Sequence, residues 1–468
     1  MPHVSRLPLV AALLVFGTCT SCESDTAGRG DDPPASSQSH ASSRHPTDDD
    51  SPPRGAPLEW SEPIQVDSGP AETGPWRMND SRFHYVDDPA ADFADGASLG
   101  VVWVDNQRQQ VLFQSFDRAG EPRLASPTTV SASPETFSWL PDVAVDGDEI
   151  YVLWQEIVFS GGTHGGEAFF ARSTDGGRSF TEPTNLSRSQ AGDGKGRLTA
   201  EHWDNGSLDL AVGPDGTLYT AWTEYEGRLW FRRSTDGGKT FEDPIHIFGG
   251  DDRPARGPDF AVEPDGTLHL AWTVGGSDSA DIHLATSTNR GETFEKPTIA
   301  FDTEGHSDAP SLAADPDGYL HLVWGESPGG RFGAYHVRYA RNATAPDAEM
   351  ATVAGPDTPG HVSAHYPAIA IGGSGAIYLV WERYATRNEP ARGLGFAVSG
   401  GGDGEFSAPS MVPGTADLSL GVNGSLQGQL MQKIVADPGG KRIAVVNSRF
   451  EPGERSVVRL MFASPLQE

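Results

Sequence analysis

The sequence predicts an all-β protein: a single β-propeller of seven four-stranded blades, with six as the fallback count, closed by an N-terminal strand that completes the last blade. Three observations lead there. The chain is dense in turn formers, with 56 Gly and 36 Pro in 468 residues, which favours many short strands over helices. A two-stranded unit ending in tryptophan recurs along it. An eight-residue turn, "STDGGRSF" at 173–180, returns as "STDGGKTF" at 234–241 and "STNRGETF" at 287–294.

The first element is a leader over 1–22. Arg6 is followed by an apolar run from Leu7 to Phe16, too short to cross a bilayer, and then by small residues. The pattern resembles a bacterial lipoprotein signal, with Cys22 behind Thr20 and Ser21 as the lipid-bearing residue; Cys19, or secretion without lipid, is the alternative. An exported protein anchored at the cell surface or in the periplasm is expected, touching the membrane only through its lipid. Both cysteines of the chain lie in this leader, so no disulfide can hold the fold. Residues 23–57 are mostly Ser, Pro, Asp, Gly and His and read as a flexible tether, leaving 58–468 for the propeller. A net charge of −31, from 65 acidic and 34 basic residues, excludes nucleic acid as a partner.

The repeat shows in "LDLAVGPDGTLYTAW" (208–222), "PDFAVEPDGTLHLAW" (258–272), "PSLAADPDGYLHLVW" (310–324) and "PAIAIGGSGAIYLVW" (367–381). Looser copies end at Trp103 and Trp154, and a seventh, "QKIVADPGGKRIAVV", ends at Val446. Each alternates apolar and polar residues, turns at glycine and alternates again, as a hairpin does. A third strand and a short fourth follow each hairpin except the last. "WSEPIQV" (60–66) matches the fourth strands "FEDPIHI" and "FTEPTNL", so the N-terminal segment supplies the missing strand and removes the open edge.

The eight-residue turn has the form Ser-x-Asp-x-Gly-x-x-aromatic, and here the chain resembles the sialidase-like propellers built from BNR, or Asp-box, repeats. The matching residues are Ser173, Asp175, Gly177 and Phe180; Ser234, Asp236, Gly238 and Phe241; and Ser287, Asn289, Gly291 and Phe294. A degenerate copy keeps Ser399 and Phe406. The resemblance implies turns between third and fourth strands on the face away from the ligand mouth. The carboxylate would accept backbone N–H groups, the glycine supply a left-handed backbone, and the phenylalanine anchor the turn in the blade core.

The mouth loops are rich in His, Trp, Tyr and acids. His84, Trp139, His202, Trp203 and His365 are the candidates for sugar contact. Acids also follow the repeat tryptophans by two residues, as in Trp103–Asp105, Trp154–Glu156, Trp222–Glu224 and Trp324–Glu326. They are either a ring of mouth carboxylates or solvated strand ends beside core tryptophans. The resemblance further implies three arginines clamping a substrate carboxylate, a tyrosine nucleophile with a glutamate base, and an aspartate acid/base. By position, Arg82, Arg253 and Arg449 fill the clamp, Tyr366 is the nucleophile with Glu224 or Glu201, and Asp105 is the acid/base. The family's Arg-Ile-Pro motif is absent, and sialidases have six blades.

Two other readings stand beside the hydrolase. One is a propeller that only binds a glycan or a protein. The other is a polysaccharide lyase using His84, Tyr85, His202, His306, His361, His365 or Tyr366 for proton transfer. A monomer without cofactor is expected, with Ca2+ among the mouth carboxylates as the alternative.

Overall fold

The computed structural model describes residues 58–465 apart from 75–81, 95–97, 133–135, 159–164, 189–206, 225–226, 251, 276–278, 386–390, 401–404, 417–420, 422–431 and 440–441. Cys19, Cys22 and the tether lie outside the described residues, as do Glu201, His202 and Trp203.

Seven four-stranded antiparallel blades form the ring. The chain enters through β1 (Leu58–Trp60) and β2 (Ile64–Gly69), then a small hairpin of β3 (Glu72–Thr73) and β4 (Phe83–His84). Blade 1 is β5 (Val86–Phe93), β6 (Ser98–Asp105), β7 (Gln110–Asp117) and β8 (Thr128–Thr129). Blade 2 is β9 (Ser138–Asp146), β10 (Glu149–Val158), β11 (Gly165–Ser173) and β12 (Thr184–Asn185). Blade 3 is β13 (Leu208–Val212), β14 (Leu218–Thr223), β15 (Arg228–Ser234) and β16 (Ile245–Gly249). Blade 4 is β17 (Ala255–Val262), β18 (Leu268–Val274), β19 (Asp281–Ser287) and β20 (Thr298–Ile299). Blade 5 is β21 (His306–Ala314), β22 (Leu320–Ser327), β23 (His336–Arg341) and β24 (Met350–Ala354). Blade 6 is β25 (Ser363–Ile371), β26 (Ile377–Tyr384), β27 (Leu394–Ser399) and β28 (Ser410–Met411).

Blade 7 has three C-terminal strands, β29 (Ile434–Ala436), β30 (Ile443–Glu451) and β31 (Arg455–Pro465). Its outer position is filled from the other end of the chain. Leu58 pairs with Pro465, and Ile64 with Leu460. The expected closure by strand exchange is therefore present, and the seven-blade count holds.

The repeat tryptophans are blade core: Trp103, Trp154, Trp272, Trp324 and Trp381 have no exposed surface. Packing of this size is worth several kcal/mol per ring, which is why the second strands keep the residue in blade after blade.

The eight-residue turns join third to fourth strands, as expected. In the first, the Gly177 N–H donates to Ser173 Oγ at 3.0 Å and the Ser179 N–H to Asp175 Oδ1 at 2.9 Å; Asp236 repeats this with Thr240 at 2.9 Å. Their aromatics do more than the anchoring within one blade that the sequence suggests. Phe180 packs edge-on against Phe113, Phe241 against Phe170, Phe294 against Phe231 and Phe406 against Tyr339, each on the third strand of the preceding blade. The glycine at each full turn has φ near +80° and lies so close to that ring that a Cβ would stand 2.1 Å from Phe113 at Gly177 and 2.6 Å from Phe170 at Gly238. The motif is thus a wedge between blades.

Candidate functional site

The channel has two ends with different chemistry. At the turn face all seven inner strands enclose a cavity of about 750 Å³, bounded by hairpin turns such as Pro214, Pro264 and Pro316. Its deep carboxyls are engaged in joining blades. Val145 N–H donates to Asp92 (2.8 Å), Leu210 N–H to Asp142 (2.9 Å), Phe260 N–H to Asp209 (2.6 Å) and Leu312 N–H to Asp259 (2.6 Å), each from the next blade. Ser311 continues the series towards Ile369, and Gln432 reaches back to the Ile369 carbonyl at 3.0 Å. Burial, with carboxylates as neighbours, raises these groups: Asp92 to about 7, Asp259 to about 8, and Asp209 well above the usual range. Asp142 is likewise raised by burial, to about 6. This ring was missed in the sequence, although an Asp after the first residue of "LDL", "PDF" and "PDV" is its signature.

At the mouth face the inner strands are bent. In five blades a residue just before proline takes a left-handed backbone: Asp88, Leu140, Gly257, Ala309 and Tyr366 have φ between 48° and 59°. The pairing with the second strand slips at each of these points. For Tyr366, a bulky residue, the conformation is strained and is held by the packing around it.

That packing is a stack. The His365 ring lies 3.6 Å from Tyr335 at 13° and 3.8 Å from Tyr366 at 26°, and its edge rests on Gly325, where a Cβ would be 2.2 Å from His365 Cδ2. Tyr335 comes from the loop between β22 and β23, and Gly325 is the one repeat position where the residue after tryptophan has no side chain. His365 Nε2 is buried and has no hydrogen-bond partner among the described residues. Beside the stack, Arg256 Nε contacts Asp308 at 3.2 Å and its Nη2 donates to His306 Nε2 at 3.2 Å, while Thr273 Oγ1 donates to Asp308 at 3.1 Å. On the other side Tyr384 donates to Glu382 at 3.0 Å, and buried Lys433 stands 3.8 Å from Glu382.

These contacts set the protonation states. Burial drives His365 down to about 3 against the pull of Asp308, so the imidazole is uncharged. Burial, then the charges of Asp308 and Glu382, raise Tyr366; burial and Asp308 raise Tyr335. Both phenols are held protonated. Burial also works to raise Asp308, yet the Arg256 guanidinium 3.2 Å away holds it well below the carboxylate range.

The other sequence candidates are dispersed. Arg82 is exposed, Arg253 lies 5.1 Å over Phe248, and Arg449 pairs with Glu451 at 2.6 Å, so each clamp candidate has its own surroundings. Glu224 is half-buried in blade 3, whereas the carboxylates whose charge reaches Tyr366 are Asp308 and Glu382. Asp105 is buried and raised by burial, with Arg108 in contact at 3.3 Å. Trp139 is packed in the core at 2% exposure, stacked on Phe137, because its strand position faces the blade 1–2 seam. His84 meets Glu72 at 3.2 Å, and His361 accepts from Trp381 Nε1 at 3.2 Å. Tyr85 is core and stands edge-on to Phe450. Among the described residues no group of three or more His, Cys, Asp or Glu is arranged to hold a metal ion.

No protein-family model matches this sequence, and no curated protein does. Solved structures match in fold. An ulvan lyase of polysaccharide lyase family PL25, bound to -[GlcA(1-4)Rha3S]-, aligns with a TM-score of 0.55 at 11% identity over 85% of this chain and 95% of its own. The polysaccharide lyase Uly1 aligns with a TM-score of 0.54 at 11% identity over 87% of this chain and 100% of its own. The NanB sialidase of Streptococcus pneumoniae aligns with a TM-score of 0.44 at 12% identity over 73% of this chain and 70% of its own. At such identities the likeness is one of fold. The class defined is a seven-bladed propeller with a buried histidine–tyrosine stack at its mouth.

Proposed function

We propose that this protein cleaves an acidic polysaccharide by general acid–base catalysis at the mouth of blades 4–6, in an eliminative reaction. The observation that carries the reading is the uncharged His365, its buried Nε2 without a hydrogen-bond partner among the described residues, stacked between two phenols held protonated. In such a reaction a base removes the proton beside a sugar carboxylate. The electron pair forms a carbon–carbon double bond, and the C–O bond one carbon further on breaks. A phenol then protonates the departing oxygen. His365 is the base and Tyr366 or Tyr335 the acid in this scheme. The names of the two lyases of like fold support the substrate class.

A retaining, sialidase-type hydrolysis is the second reading, favoured by the strained placement of Tyr366 near the charge of Glu382. The same proposal takes the eight-residue turns as Asp boxes and the chain as an exported monomer lipidated at Cys22. The test is incubation with polygalacturonate, alginate, hyaluronan and an aryl sialoside. Ultraviolet absorbance from the new conjugated double bond, lost in His365→Ala, supports elimination. Fluorophore release from the sialoside, lost in Tyr366→Phe, overturns it in favour of hydrolysis. Silence across the panel in a folded protein leaves a binding propeller.

A further inference from the structure

Among the described residues four large apolar side chains are substantially exposed: Phe332, Ile299, Tyr319 and Met350. Scattered single residues of this kind are ordinary on protein surfaces. Ile299 and Met350 sit on fourth strands at the outer rim, and Tyr319, on the turn face, is covered by Arg341 at 4.1 Å. Phe332 differs in degree and in place. It is 85% exposed, about twice any of the others, and it lies in the β22–β23 loop on the mouth face.

That loop is built to hold it there. Gly330 N–H donates to the Ser327 carbonyl at 3.1 Å and Gly333 N–H to the Gly330 carbonyl at 2.8 Å, with Gly330 at φ 78°. Gly333 has no room for a side chain, since a Cβ would stand 2.2 Å from Ser327 Oγ. The Tyr335 hydroxyl donates to the Arg331 carbonyl at 3.0 Å, which bolts the residue before Phe332 to the ring that stacks on His365. The Arg331 guanidinium lies 5.9 Å from the Phe332 centroid, and its charge is felt at the Tyr335 hydroxyl.

We infer that Phe332 and Arg331 form a subsite for one acidic sugar unit, the ring face of the sugar stacking on Phe332 and its carboxylate or sulfate meeting Arg331. The inference rests on the reading above, in which the adjoining stack cleaves such a polymer. An aromatic face suits the C–H face of a pyranose, and a planar guanidinium suits an oxyanion. On a chain of charge −31, a cation held beside an aromatic at the mouth is also what an anionic ligand needs in order to approach.

The experiment is affinity electrophoresis of the full protein through gels containing polygalacturonate, hyaluronan, chondroitin sulfate or neutral dextran, with cleavage kinetics alongside. Phe332→Ala is expected to weaken retention by the acidic polymer, or raise KM, by roughly five- to tenfold with kcat unchanged, and Phe332→Trp to restore it. Arg331→Gln is expected to weaken retention by the acidic polymers and leave dextran unaffected. Equal retention of Phe332→Ala and the wild type overturns the subsite, as does absence of retention in every acidic gel. A Phe332→Ala effect confined to capture of a protein partner overturns it too. Retention that depends on Phe332 without any cleavage sustains the subsite while sinking the lyase reading, and cleavage indifferent to Phe332 does the reverse.

Discussion

On the turn face of the ring, the same contacts recur in several blades. A carboxyl on one inner strand accepts an N–H from the next, and a phenylalanine in one turn wedges against the third strand before it. At the mouth of blades 4–6 the left-handed residue before proline is shared with other blades, but the histidine–tyrosine stack built on it is found once among the described residues. His365 Nε2 is buried without a hydrogen-bond partner among the described residues, Tyr366 is strained, and Gly325 appears once, where a ring needs its space. Recurring carboxyls on the turn face close their hydrogen bonds within the architecture, whereas the mouth stack leaves a buried ring nitrogen without a partner among the described residues.

The largest effect on activity is expected at the stack. His365→Gln, which keeps much of the buried volume, is expected to lower kcat by roughly 10²–10⁴ with a smaller loss of Tm than Phe113→Ala, measured on whichever acidic polymer is cleaved. Phe113→Ala should do the opposite. It removes the wedge partner of Phe180 from a fully buried site, at a cost of about 3–5 kcal/mol in denaturant unfolding, with activity per folded molecule retained. If both variants lost activity and stability alike, the two faces would not be separable.

Gly177→Ala sharpens the point, since it combines a φ of 82° with a clash against Phe113. A loss of about 3 kcal/mol or more is expected, against about 1 kcal/mol for Gly147→Ala, where φ is also positive at 63° but a Cβ meets nothing within 4 Å.

The smallest effect concerns pH. Asp259, raised by burial to about 8, binds a proton in the folded state that the unfolded chain releases near pH 4. Its contribution is therefore full below the unfolded value and is lost as pH rises through 8. His365, depressed to about 3, acts in the other direction, but only below about 6.5, its unfolded value. Between pH 6.5 and 8 the carboxyls act alone, so Tm should rise on acidification across that window. Asp259→Asn, which keeps an acceptor for Leu312 N–H, should flatten the rise by about 1 kcal/mol or less. An unchanged slope in scanning calorimetry would show that Asp259 is ionised in the fold.

Much of the architecture was legible because its signals are local. The tryptophan-ended hairpins and the match of "WSEPIQV" to other fourth strands place the blades and the closing strand correctly. The wedges were half legible: the turn chemistry lies within eight residues, but the ring it meets is about one blade away in the chain. The carboxyl ring escaped for the same reason, since Asp142 serves Leu210, 68 positions on. At the mouth, Tyr366 and His365 were named from loop composition, whereas Tyr335, Arg256 and Asp308 were not, because a left-handed residue before Pro310 or Pro367 re-aims the strand in a way that period-two alternation does not encode. Proline at the same place in five repeats was the available clue.

The pairing of Leu58 with Pro465 brings the two ends of the ring's polypeptide out at one point, running in opposite directions. Tension applied across those ends would load the closing strands one residue pair at a time, as a zipper is opened, rather than shearing all of them together. The seam is also the last part of the circle to be made, since its two halves emerge at opposite ends of synthesis.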